Sequence, residues 1–246
     1  MADRGVAVQA GIDLSVVIPA FNEAVRLPDT LAAFDQWIGG QDRRCELILV
    51  DDGSLDDTLR VMETYRRSRA QTQVVSLEHN CGKGRAVAAG VVRSRGALVL
   101  FSDADLSTPW QETSKLEEAI TAGADIAIAS RAVTGAQIER HQEVYREWMG
   151  RMFNHMVRWS VLPGIRDTQC GFKLFKGPIA HRTFSRLVTD GFAFDVEVLL
   201  RARRLGYRIV EVPVRWSHSP PSTVVPWRDS IVMMFDLGRI RMGRED

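Results

Sequence analysis

The chain has 246 residues, 45% apolar and 26% charged, with a formal net charge of +1. That composition excludes collagen, coiled coil and wholesale disorder, and the near-neutral total argues against a general nucleic-acid binder. The length allows one large core or two small ones.

No apolar run approaches the roughly 18–20 residues that a spanning helix requires. The longest candidates, such as Ala86–Val92 and Ala97–Phe101, are of core size. The first 13 residues form an N-terminal tail with no apolar stretch of signal-peptide length, so a cytoplasmic protein is expected. Cys45, Cys81 and Cys170 are odd in number and widely spaced, which points to reduced thiols and no zinc site. The charge is uneven: residues 1–130 carry 13 Lys/Arg against 19 Asp/Glu, and residues 131–246 carry 19 against 12. An acidic half suits a metal; a basic half suits phosphate or an anionic surface.

In chain order, Leu14–Ile18 reads as a β-branched strand ending at Pro19. Apolar residues at 27, 31, 34, 37 and 38 have helical period and stop at Gly39-Gly40. Glu46–Val50 is a strand, and Leu55, Leu59, Met62 and Tyr65 mark a helix face. Val74–Leu77 is a third strand, Ala86–Val92 a small-residue helix, and Ala97–Ser102 a fourth strand. A helix from Pro109 to Gly123 and a fifth strand, Asp125–Ser130, complete the first half. Such alternation predicts an α/β fold with a mostly parallel sheet covered on both faces. Beyond it, Tyr145, Trp148, Met149, Met152, Phe153, Met156 and Trp159 form an apolar helical stripe. A Gly/Pro-broken stretch (LPGIRDTQCGFKLF), a helix over Phe194–Leu205, a strand over Arg208–Trp216, a proline loop and an apolar helix over Ser230–Met242 follow. Core packing is the first expectation for both apolar stretches; a membrane-surface face is the sharper one.

Ligands of open α/β sheets sit beyond the carboxyl ends of the strands. Four successive strand ends carry polar clusters: Pro19-Ala20-Phe21-Asn22-Glu23, Asp51-Asp52-Gly53-Ser54, His79-Asn80-Cys81-Gly82-Lys83-Gly84 and Asp103-Ala104-Asp105. If strand geometry persists, Asp103 and Asp105 point the same way. Two acids there suit Mg²⁺ or Mn²⁺, which take one or two carboxylates plus substrate phosphate; a solvated turn is the plainer alternative. Asp51 is placed to accept from a base or ribose, or else to shape a turn. Gly82-Lys83-Gly84 opens a helix, where backbone N–H groups and a lysine favour an anion, although the spacing is not that of a P-loop.

The segments VVIPAFNE, VDDGSLDDT, HNCGKGRAVAAG and FSDADLS resemble, in order and spacing, family 2 glycosyltransferases with the GT-A fold. DTQCGFKLF, GFAFDVEVL and EVPVRW extend the resemblance to the polyprenyl-phosphate branch, most nearly the dolichyl-phosphate β-glucosyltransferases. It covers about residues 14–240 and implies one GT-A nucleotide-diphospho-sugar transferase domain over 14–246, with a nucleotide-sugar half (14–130) and an acceptor half (131–246). The resemblance implies that Pro19, Asn22 and Glu23 line the nucleotide pocket and that Asp51 meets the base. By the same token Gly53 and Lys83 lie near the nucleotide, Asp103 and Ala104 meet ribose or sugar, and Asp105, with Asp103, holds Mg²⁺ or Mn²⁺. The implied donor is UDP-glucose, with GDP-mannose second, and the implied acceptor a polyprenyl phosphate.

A lipid monophosphate has a second pKa near ~6 and is mostly dianionic at neutral pH, so it needs cations more than a base. Arg131 resembles the family's acceptor-phosphate arginine, and Arg146 or Arg151 is a second candidate. Asp167 is expected to orient Arg131 or Lys173, or to act as base toward a hydroxyl acceptor. Asp195 and Glu197 do not share a helix face, and Asp195 is the one expected in the site. The rival functions are transfer to a hydroxyl and a silent nucleotide-sugar-binding scaffold. Many members of the branch carry a membrane anchor; here a peripheral approach to the lipid is expected. Oligomeric state is left open.

Overall fold

The computed structural model describes residues 11–140, 152, 154–219 and 238. Strands and helices alternate: β1 (Leu14–Ala20), α1 (Leu27–Gly39), β2 (Cys45–Asp51), α2 (Thr58–Arg67), β3 (Thr72–Ser76), α3 (Lys83–Val91), β4 (Leu98–Ser102), α4 (Thr113–Thr121) and β5 (Ile126–Ser130). The second half adds β6 (Gln137–Arg140), α5 (described at 152 and 154–160), β7 (Phe172–Lys176), α6 (Gly177–Phe184), α7 (Phe194–Arg204), β8 (Ile209–Pro213) and β9 (Arg215–Ser217).

Seven strands form one sheet in the order β3-β2-β1-β4-β7-β5-β8, and β6 pairs with β9 as a separate ribbon. All seven residues of β1 are buried, the mark of a strand covered on both faces. Successive residues of the central strands serve opposite cores: Val17, Ile48 and Val50 pack toward α3, α6 and α7, and Val16, Ile18, Leu47 and Leu49 toward α1 and Trp110. That two-residue period needs no sequence alternation when both faces are dry.

Three expectations need correction. The stretch expected to be only Gly/Pro-broken contains β7 and runs on into α6. β7 is antiparallel to both β4 and β5, with Ser102 opposite Phe172 and Ile128 opposite Lys173. Its beginning therefore lies at the carboxyl ends of the parallel strands, and the loop before it, containing Asp167, reaches that edge. Leu55, expected on a helix face, is 91% exposed, because α2 starts three residues later at Thr58. The predicted strand over Arg208–Trp216 is two, β8 and β9, separated at Val214. All of the predicted final helix except Gly238 lies outside the described residues, as does most of the stripe from Tyr145. No helix among the described residues is long and apolar enough to cross a membrane.

Candidate active site

The site is assembled at the carboxyl edge of β1, β2 and β4, joined by the amino end of β7. Asn22 follows β1 in the left-handed region (φ 54°), a conformation asparagine tolerates. Its N–H donates to Ser54 Oγ (2.9 Å), and its Oδ1 accepts from the Leu55 N–H (2.8 Å). The loops after β1 and β2 are thereby clamped together. Pro19 is buried within β1 opposite Val50. Glu23 accepts from Arg26 Nε at 2.6 Å, and its own N–H donates to Thr58 Oγ1. Burial pushes the Glu23 carboxyl above its usual range against the pull of Arg26, and the charges of Asp105 and Asp103 push the same way.

Asp51, 2% exposed, accepts from the Ser54 N–H at 3.2 Å and the Ser76 hydroxyl at 3.4 Å. Gly53 has φ +67°, and a Cβ there would stand 2.4 Å from the His79 carbonyl carbon, so the loops after β2 and β3 touch only because this residue has no side chain. Asp52, which the sequence reading passed over, accepts from the Cys81 and Gly82 N–H groups at 2.8 and 3.0 Å. Burial raises its pKa even so.

That contact alters the reading of Gly82-Lys83-Gly84. The N–H groups of Gly84 and Arg85 donate to the Asp190 carbonyl at 2.7 and 3.3 Å. The opening of α3 thus spends the Cys81, Gly82, Gly84 and Arg85 N–H groups on Asp52 and Asp190. The two glycines admit this loop: a Cβ on Gly82 would meet Asp190 O, and one on Gly84 would meet Thr189 O, each at 2.5 Å. What α3 offers an anion is the Lys83 ammonium.

Lys83 Nζ is 2.6 Å from Asp103 Oδ1 and lies over the rings of Phe101 and Phe192, 5.4 and 5.9 Å from their centres. Burial opposes its charge, but Asp103, Asp195 and Asp105 outweigh burial and hold its pKa above the ordinary lysine value. β4 ends at Ser102, so Asp103 and Asp105 stand in a turn and not in the continued strand that the spacing suggested. The turn is tight. Leu106 adopts φ 54°, unusual for leucine, Asp105 accepts from the Ser107 N–H at 3.0 Å, and the buried Ala104 carbonyl accepts from Thr30 Oγ1 at 2.6 Å. Burial, then the neighbouring Asp103 charge, pushes Asp105 upward. Gly171 covers Asp103 so closely that a Cβ would fall 1.9 Å from Asp103 Oδ2.

Across this edge, Arg131 follows β5. Its Nε and Nη2 donate to Asp167 Oδ2 and Oδ1 at 2.7 and 2.9 Å, and its backbone N–H donates to the same carboxylate at 3.0 Å. The guanidinium lies 5.2 Å from the centre of the Trp216 ring. Burial opposes both charges, and the ion pair prevails: Asp167 falls to about 2 and Arg131 rises above its normal value. Asp167 is in turn fixed by Glu211 on β8, which accepts from the Asp167 and Arg166 N–H groups at 2.9 and 2.8 Å and from the Ser130 hydroxyl at 2.8 Å.

Lys173 Nζ donates to Asp195 Oδ1 and to the Cys170 carbonyl, each at 2.6 Å, and both side chains are almost fully buried. Burial raises Asp195 despite Lys173 and Lys83. Glu197 faces away and accepts from the Val188 and Thr189 N–H groups at 2.9 and 2.7 Å, as the i, i+2 argument expected. Arg146 and Arg151 lie outside the described residues.

The structure thus brings Glu23, Lys83, Asp105, Arg131 and Asp195 within electrostatic reach of Asp103. Asp52, Gly171 and Glu211 were missed, and Lys173, expected beside Asp167, donates to Asp195 instead. Lys173 did leave a signal, a lone charge in the apolar run FKLF; Glu211 left none that a single sequence exposes.

Residues 15–184 match the family described as Glycosyl transferase family 2. The chain belongs to that family. Family membership makes it a glycosyltransferase, and the GT-A fold expected from the motifs is the fold observed. It is 38% identical over 242 residues to the mouse dolichyl-phosphate beta-glucosyltransferase, covering 93% of this chain and 75% of that one. It is 34% identical over 242 residues to the corresponding Dictyostelium discoideum protein, covering 94% and 74%. Among solved structures it is similar to glucosyl-3-phosphoglycerate synthase from Mycobacterium tuberculosis in complex with Mn²⁺, UDP and phosphoglyceric acid. That match has a TM-score of 0.69 at 20% identity and covers 98% of this chain and 82% of that one, which establishes the fold.

Among the described residues no three Asp, Glu, His or Cys side chains converge as a closed metal cage. What is present is a close carboxylate pair, Asp103 and Asp105, with Asp105 pushed upward by burial and by its neighbour. Such a pair fits a hard divalent cation that completes its shell with phosphate and water.

Proposed function

We propose that this glycosyltransferase moves glucose from UDP-glucose to a polyprenyl phosphate with inversion at the anomeric carbon. The carrying observation is the state of the two carboxylates that a hydroxyl acceptor would need as base. Asp167 is locked to Arg131, and Asp195 is locked to Lys173. Asp167, held at a pKa of about 2 by Arg131, is a poor proton acceptor near neutrality, and Asp195, although burial raises its pKa, has its Oδ1 taken by the Lys173 ammonium. An acceptor that arrives already ionised needs no base, and Arg131 is a cation aimed and held for it. The names of the relatives point the same way.

In this reading an acceptor phosphate oxygen attacks the anomeric carbon, the new C–O bond forms, and the bond to the nucleoside diphosphate breaks with its electron pair leaving on the diphosphate oxygen. Arg131 holds the acceptor phosphate, while Asp167 and Glu211 hold Arg131. Lys83 neutralises part of the charge that develops on the diphosphate. Asp51 receives the base, and Asn22 and Gly53 keep the pocket walls together. Asp103 and Asp105 would hold Mg²⁺ or Mn²⁺, which supplies Lewis-acid charge to a leaving diphosphate. A water-soluble donor and a lipid acceptor would meet at the cytoplasmic surface of a membrane.

Calorimetry with UDP-glucose, UDP, GDP-mannose and GDP, each with and without Mn²⁺, tests the donor side. UDP binding that requires metal is expected, followed by glucose transfer to a short-chain polyprenyl phosphate. GDP binding without UDP binding would replace glucose by mannose; no nucleotide binding at all would leave only the fold.

A further inference from the structure

The described part of α5 packs inward through Val157, which is fully buried, and leaves its other side in water. Met152, His155 and Trp159 recur at i, i+3 and i+7 and share that outer side. Trp159 is 88% exposed and Met152 50%, whereas the other described tryptophans, Trp37, Trp110 and Trp216, are each 7% exposed or less. Together Trp159 and Met152 put an indole and a thioether in water on one side of the helix, an apolar patch next to polar residues.

Beside these residues lies a cleft of about 260 Å³ lined by Ala132, Asn154, His155, Arg158 and Arg166. Among the described residues its lining has two arginines and a histidine and no acidic side chain, and Arg158 and Arg166 are exposed. The cleft is joined to the acceptor edge by a hydrogen bond. Asn154, in its wall, donates to Asp167 Oδ1 at 3.4 Å, and Asp167 is the carboxylate that holds Arg131.

We propose that the outer face of α5 docks on an anionic phospholipid bilayer. The cleft takes a phosphodiester headgroup between Arg158 and Arg166, and Trp159 and Met152 enter the interface beside it. Charge complementarity selects the partner: arginines for headgroup phosphate, and an indole and a thioether for the acyl boundary. This deepens the functional reading, on which it rests for its biological sense, by naming the surface that brings Arg131 to a membrane-held acceptor.

The test is sedimentation of the full chain with vesicles of phosphatidylcholine alone or mixed with phosphatidylglycerol, at about 0.15 M salt. Binding to the mixed vesicles is expected, with a blue shift of tryptophan emission. Each surface arginine is worth about 1 kcal/mol near an anionic membrane, so R158Q/R166Q should bind roughly tenfold or more weakly. W159F should still bind but lose most of the blue shift. Equal binding to both vesicle types, no binding, or unchanged binding by R158Q/R166Q overturns the proposal. So does saturable binding of soluble glycerol phosphate by a chain that ignores vesicles, which would make the cleft a soluble-ester site. Transfer to a short-chain polyprenyl phosphate in detergent reads the functional proposal separately: R158Q/R166Q should retain it, and vesicle binding without any transfer would sink that proposal while leaving this surface standing.

Discussion

Asp167→Asn separates a positioning carboxylate from a catalytic base. In the wild type the Asp167 carboxylate is 1% exposed and receives three hydrogen bonds from Arg131 alone. Its pKa drops from 3.8 to about 2, a difference of about 2 kcal/mol between ionised and neutral forms in favour of the folded pair. The carboxylate side sets this figure, because Arg131 stays protonated throughout. Asparagine keeps the shape but removes the charge and turns one acceptor into a donor facing the guanidinium. Stranding one member of a buried pair costs about 3–5 kcal/mol; with Arg131 a quarter exposed, the lower end applies. The expected loss is about 2–3 kcal/mol, which lowers Tm by roughly 4–12 °C in a protein of this size. The pH dependence has a definite sign. A depressed carboxylate pKa stabilises fully above about 4, the unfolded value, and the contribution disappears as pH falls toward about 2. Chemical denaturation between pH 2 and 6 should therefore show a steeper acid limb in the wild type than in D167N, which keeps only the share of the other depressed carboxylates. In steady state D167N should raise the acceptor KM by tenfold or more and leave UDP affinity within twofold. Near-complete loss of kcat with unchanged acceptor KM, together with loss of the acidic limb of the pH–rate profile, would refute this and make Asp167 the base.

Three further outcomes follow from the same geometry. Asp105→Ala should abolish metal-dependent turnover and weaken UDP binding in Mn²⁺ to the metal-free level; retained activity with an unchanged Mg²⁺ requirement removes Asp105 from the metal site. Lys173→Met strands the buried Asp195 carboxyl without its partner, at a cost of up to about 3–5 kcal/mol. The K173M/D195L double variant should regain most of that stability but not activity, and a double-mutant cycle with no coupling energy counts against the pair. Gly171→Ala places a methyl where Asp103 Oδ2 now lies; nucleotide affinity in Mn²⁺ should drop by tenfold or more, and wild-type affinity would show that Asp103 has another resting place.

How much was legible depended on whether a feature was local. The strand–helix alternation through β5 could be read because a buried parallel strand announces itself as a short apolar run and a helix by its period; both signals lie within a dozen residues. The polar strand ends could be read for the same reason, since an α/β sheet puts consecutive carboxyl termini on one edge whatever the loops do. Asp103 and Asp105 were found in this way, although the turn at Ala104, not the pleat, sets their orientation. Glu197 could be separated from Asp195 by helix geometry alone. The role of Gly82-Lys83-Gly84 could not be resolved locally. Its donors are taken by Asp52 from the β2 loop and Asp190 from the loop before α7, residues 30 and more than 100 positions away.

The layered sheet, the edge where chemistry is placed and, through its motifs, the family all follow from local patterns along the chain. What the charges do follows from the packing of segments far apart in it. β7 enters antiparallel between β4 and β5, and this brings Gly171 onto Asp103, Lys173 onto Asp195 and Asp167 onto Arg131. Ion pairing falls off within a few ångströms in a way that sequence separation does not record. A carboxylate is free to take a proton or bound to a cation according to which strand lies beside it, and that neighbour is chosen by the packing of the whole sheet.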